Sequence, residues 1–127
     1  MPLFGAVQAT WNLLEPSVWP ALAEAADAGL GVIVKEVVAN GRLTSRNPDL
    51  AERVGRLVPD WPLDAIAMAA CLRQPWASVA LSGAATVEQL RSNLKALTVP
   101  LDVLSSIPDL SEDADDYWRV RSRLAWG

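Results

Sequence analysis

Residues 31–36 read Gly-Val-Ile-Val-Lys-Glu, three β-branched side chains in succession between stretches of helical spacing. A short run of that kind is a buried strand of a parallel sheet, and parallel neighbours are joined by crossover helices. Residues 5–11 read as a further short strand and 77–81 as another short buried one, and helix-like pieces alternate with all three. Such alternation places the chain in the α/β class. Its 127 residues suit a single domain, 1–127, with no internal repeat, low-complexity segment or linker. They are half of the ~250 residues that a closed eight-stranded α/β barrel needs. Three parallel strands alone make a poor sheet, because such strands are normally covered on both faces and paired on both edges.

Five or six helices are expected around these strands. Ser17 is placed to cap the first, with Pro20 still in its first turn, Val18, Leu22 and Ala25 or Ala26 facing inward, and Gly29 ending it. Asn47 and Pro48 open the next, where Leu50, Val54 and Leu57 share a side. Residues 63–73 are apolar almost all round, which predicts a helix sandwiched between layers. Thr86-Val87-Glu88-Gln89 fits a capping box for a helix with Val87, Leu90, Leu94 and Leu97 on one face. A last helix from Ser111 is acidic at its start (Glu112, Asp113, Asp115, Asp116) and basic toward its end (Arg119, Arg121, Arg123), which complements the helix dipole.

Composition removes several chemistries. The chain has no histidine, so it builds neither a Ser-His-Asp nor a Cys-His triad, nor an imidazole zinc site. Its one cysteine, Cys71, cannot form an internal disulfide and reads as a buried, inert thiol. An acidic pI near 4.7 argues against nucleic acid as a partner. No apolar run reaches the ~18 residues of a membrane span, so no membrane association is expected. The start, Met1-Pro2-Leu3-Phe4, lacks the pattern of a signal peptide, and a cytoplasmic location is the expectation. Glu15, Glu36 and Asp60 read as solvated charges. The tryptophans at 11, 19, 61, 76, 118 and 126 read as core and capping bulk. The apolar fraction of 51% is high for so short a chain and anticipates surface that expects a partner.

Three segments resemble the C-terminal part of the aldo-keto reductases. VQATWNLLE (7–15) is similar to the sixth strand of that family, with a glutamine followed four residues later by asparagine. GLGVIVKEVVANGRLTSRN (29–47) resembles its seventh strand and following Gly-x-Leu-Thr loop. QPWASVALSGAATVEQLRSNLKAL (74–97) resembles the eighth strand and the cofactor-binding loop and helix. The resemblance implies the last three strands and C-terminal helices of a (β/α)8 TIM barrel, and an ancestral NAD(P)H-dependent reduction of aldehydes or ketones. Carried over by position, it implies that Gln8 meets the nicotinamide carboxamide. Ser82, Gly83, Ala84, Gln89 and Asn93 fall around the adenosine phosphate and adenine. Residue chemistry points the same way: small residues between a strand and a capped helix allow close backbone approach, and free N–H groups at the helix start favour an anion.

Two features depart from the family. Lys35 stands where an aromatic residue often stacks on the nicotinamide, and it reads otherwise as a solvated strand end or a partner of Glu36 or Asp27. Gly83 and Gln89 stand where NADP-dependent members place basic residues, which leaves NADP and NAD equally implied. The catalytic aspartate, tyrosine, lysine and histidine of the family come from the first half of the barrel. The only tyrosine here, Tyr117, shares helical spacing with Val120 and Leu124 and reads as packing. The expectation is thus a truncated oxidoreductase fold with no catalytic residue and no metal site. It would contact a nicotinamide dinucleotide, and associate with itself or with a complementary half-barrel chain.

Overall fold

A computed structural model describes residues 3–125; Met1, Pro2, Trp126 and Gly127 lie outside the described residues. The order is β1 (Ala6–Thr10), α1 (Trp19–Asp27), β2 (Gly31–Lys35), α2 (Pro48–Leu57), α3 (Leu63–Leu72), β3 (Val79–Ala80), α4 (Val87–Leu94), α5 (Leu101–Ser105) and α6 (Ala114–Ser122). Short 3-10 turns occupy Ala39–Gly41 and Lys95–Thr98. The strands form one parallel sheet in the order β1-β2-β3. A parallel α/β sheet is therefore present, as the alternation of the sequence implies.

Register decides which side of the sheet is covered. Gln8 lies beside Ile33, and Ile33 beside Val79. Successive side chains alternate between faces, so these three share one face while Val7, Ala9, Val32, Val34 and Ala80 share the other. Val32 and Val34 are fully buried and the other three pack against the same core. Gln8 is exposed and Val79 is 47% exposed. The helices thus cover one face only, and the face that would line a barrel is bare except at its C-terminal end, where Thr10 is buried.

Most of the core lies between this sheet and α3. Eight of the ten α3 residues are buried, as its all-round apolar character predicts. Trp11 and Trp76 are buried and pack edge to face at 5.6 Å. Cys71 is fully buried and its thiol is pushed up to about 12 by desolvation, so it carries no thiolate at neutral pH.

Several expectations are corrected. The cap of α1 is Val18 rather than Ser17, without a side-chain hydrogen bond, because the turn Pro16–Trp19 carries the chain into the helix. Gly29 does end α1, at φ 87°, in the left-handed region where a glycine costs least. Asn47 precedes α2, but its amide donates to the Arg42 carbonyl instead of capping, and Leu57 faces solvent. The final helix starts later than Ser111, at Ala114, with Asp113 as its cap. Val79 and Leu81 are exposed rather than buried, because β3 is an edge with one face bare. Trp19 and Trp118 are also exposed, at 53% and 45%.

Candidate functional site

The segment leaving β3 is built from its own polar side chains. The Thr86 hydroxyl accepts from the Gln89 N–H at 3.1 Å, the N-cap half of the expected box. The Gln89 carboxamide reaches back one residue further than the cap and accepts from the Ala85 N–H at 2.7 Å. The Ser82 hydroxyl accepts from the Ala84 N–H and donates to the Asn93 side-chain oxygen at 2.7 Å. The Asn93 amide then donates to Asp64 at 2.6 Å, and Ser92 donates to the other Asp64 oxygen at 2.9 Å. Asp64 is buried at the start of α3, so two neutral donors satisfy a carboxylate taken out of water.

Ser82, Gly83, Ala84, Gln89 and Asn93 are therefore brought together in one loop and one helix turn. Gln8 is not part of that group. It stands on the bare face two strands away, about 10 Å across the sheet by ordinary strand spacing. A β-carbon on Gly83 would meet nothing within 4 Å, so the loop is open to solvent. The caps leave the first N–H groups of α4, at Val87 and Glu88, without an intrahelical partner, as at any helix start. Lys35 is exposed at the C-terminal end of β2 and makes no ion pair among the described residues. The expected alternative partner, Glu36, is held instead by Arg121 at 3.1 Å.

A second polar cluster ties α6 to the ends of β1 and β2, and no residue pattern announced it. Asn12 is fully buried; its amide donates to the Glu36 carbonyl at 2.9 Å and to the Tyr117 hydroxyl at 3.0 Å. Its side-chain oxygen accepts from the N–H groups of Leu14 and Glu15. Glu15, expected in solvent, is buried and accepts from the Ser17 N–H and from the Trp118 indole at 2.8 Å. Arg42 pairs with Glu112 through both of its terminal nitrogens and lies 5.7 Å from the centre of the Tyr117 ring. Burial pushes the Tyr117 hydroxyl above the usual phenol range, partly opposed by the Asn12 hydrogen bond. The Glu36 carboxylate holds the Arg121 guanidinium above its ordinary value. Glu36, Ala39 and Asn40 all have positive φ, which side-chain-bearing residues rarely adopt, so these contacts hold a strained turn beyond β2. Tyr117 is core, as its spacing suggests, while Val120 on the same helix is exposed.

Two shallow clefts, of about 270 and 380 Å³, lie beside α2 and residues 108–112, away from the β3–α4 loop. No group of three metal-ligating side chains occurs among the described residues. No helix among them is long and apolar enough to cross a membrane.

No protein-family model matches the chain, and no curated protein matches it either. Solved structures do. The aldo-keto reductase AKR11C1 from Bacillus halodurans in its apo form superposes with a TM-score of 0.66 at 18% identity, over 86% of this chain and 44% of that one. Its holo form gives 0.67 at 19% identity, over 87% and 43%. The fold is that of part of an aldo-keto reductase barrel, and the chain spans less than half the length of the proteins it resembles.

Proposed function

We propose that this chain is the C-terminal part of an aldo-keto-reductase-like oxidoreductase, that it keeps the adenosine-phosphate end of a nicotinamide dinucleotide site, and that it does not reduce aldehydes or ketones by itself. The observation that carries the reading is the β3–α4 loop: small exposed residues run from a parallel strand into a capped helix whose first N–H groups are free to meet a phosphate. The donor set fits a phosphate weakly, since the loop itself holds no basic side chain and the nearest, Arg91, lies on the second turn of α4. When bound, the dinucleotide would supply hydride chemistry. The chain's own part is narrower. Ser82, Gln89 and Asn93 shape the loop, Gly83 and Ala84 leave it open, and Gln8 presents a carboxamide on the bare face toward the nicotinamide end. The one tyrosine, Tyr117, is buried on the inner side of α6 and bonded to Asn12, so it is not offered to a carbonyl beside Gln8.

Isothermal titration with NADPH, NADH and 2′,5′-ADP tests the cofactor half of this reading. Weak binding of NADPH or NADH, competed by 2′,5′-ADP or AMP, is expected; no heat with any of them removes it. Absorbance at 340 nm with a panel of aldehydes tests the other half, and sustained NADPH oxidation by the purified chain would refute it. The bare sheet face favours a second reading, in which a complementary half-barrel chain supplies the remaining strands and the acid. Co-expression with such a half and absence of co-elution would count against that.

A further inference from the structure

Helix α4 faces the wrong way for the surface of a lone protein. Its polar side, Ser92 and Asn93, is turned inward to Asp64, and Ala96 beyond it is buried. Its apolar side is turned outward: Val87, Leu90, Leu94 and Leu97 are 45% to 69% exposed, at the spacing of one helical face. The outer edge of β3 is likewise unpaired, and Val79 and Leu81 are exposed on the bare face of the sheet, opposite the helices. Soluble monomers rarely leave an exposed apolar helix stripe and an unpaired strand edge together. The opposite flank has the matching features. There the free strand is β1, led in by exposed Leu3 and Phe4, and the helix that follows it, α1, packs on β2 and exposes Trp19.

The two flanks differ in charge. Exposed Arg91 and Lys95 stand on and just beyond α4, against a single acid, Glu88. Helix α1 carries exposed Glu24 and Asp27 and no basic residue. None of these four charges forms a salt bridge among the described residues.

We propose that the β3–α4 flank is the docking surface for the β1–α1 flank of a second copy of this chain. The occupant must present a parallel strand edge with an outer helix, apolar surface and negative charge, and the chain's own other flank presents all of these. A two-fold axis parallel to the strands makes both contacts at once, β1 beside β3 of the partner and the reverse, so that no strand edge is left open. The inference rests on the fold and the surface, not on nucleotide binding.

Light scattering across a concentration series of the 127-residue chain at low salt tests it. The expected mass is twice the 13.7 kDa of one chain. Leu94→Glu with Leu97→Glu should give a folded monomer, since both side chains already lie in solvent within one copy. Should that variant unfold, the charges decide. Glu24→Lys with Asp27→Lys should weaken the dimer about ten-fold, and adding Arg91→Glu with Lys95→Glu should restore it. A wild-type monomer at every concentration, an assembly of another size, or a dimer indifferent to the charge exchange would overturn the proposal; a chain monomeric alone leaves the complementary half-barrel as occupant. Nucleotide titration of the monomeric variant separates this outcome from failure of the cofactor reading.

Discussion

The two polar clusters of this molecule use hydrogen bonds to opposite ends. At the ends of β1 and β2, Asn12, Glu15 and Tyr117 are buried and join residues far apart in the chain. At the β3–α4 loop, Ser82, Gln89 and Thr86 are exposed and mostly bond neighbours within a few residues. The first cluster fixes where α6 sits. The second shapes a loop that Asn93 and Ser92 tie to Asp64. A buried bond is costly to break because its partner is left dry, whereas an exposed one is replaced by water. The β3–α4 loop is therefore the more weakly held of the two regions.

Asn12→Ala should have the largest effect. It removes two donated and two accepted hydrogen bonds at a fully buried position, and should cost about 3–4 kcal/mol in urea denaturation. A cost below about 1 kcal/mol would mean that water enters this cluster and that the contrast fails. Tyr117→Phe is next, at about 1–2 kcal/mol, because it strands one Asn12 N–H while keeping the ring. Alkali probes the same region. The Tyr117 hydroxyl and the Cys71 thiol are both raised by burial, so both favour the folded state while neutral. That stability is complete below their unfolded values, and for Cys71 is lost as pH climbs from 9.0 toward about 12. Tyr117→Phe should flatten the upper part of the decline, and an unchanged alkaline limb would place Tyr117 outside it.

Local chemistry made much of this legible in advance. Three β-branched residues set β2, Gly29 closed α1, and Thr86 capped α4, because each depends on neighbours a few residues away. Asn12 was legible only as one residue of a resemblance, since its partners lie 24 and 105 residues further on. An asparagine just beyond a strand, able to accept from the next N–H groups, was the available signal. Asp64, a lone acid at the head of an apolar helix, was another, and its partners Ser92 and Asn93 lie 28 and 29 residues further on. Periodicity put Val87, Leu90, Leu94 and Leu97 on one face but carries no information about what covers that face. The segment resemblance aimed Gln89 and Asn93 at a ligand, while in the fold their side-chain oxygens serve the loop.

The weaker region can be tested at smaller scale. Thr86→Ala removes the α4 cap and should cost about 1 kcal/mol. If the β3–α4 region opens separately from the rest, the loss should be confined to amide exchange in α4, with the protection of β2 and α3 unchanged. Equal loss of protection in β2 would show that the loop and the sheet unfold together. Asn93→Ala should act on the same region by about 1 kcal/mol, and should also release Ser82, so that Ala84 exchanges faster. The smallest effect belongs to Arg56→Ala. Its pair with Glu52 is exposed at both ends, 73% and 65%, and lies on α2, away from both clusters. Such a pair is worth under about 0.5 kcal/mol, and raising the salt should remove even that. A larger, salt-resistant loss at Arg56 would mean that exposure is a poor guide to strength in this fold, and the ranking of its two clusters would then need a different physical basis.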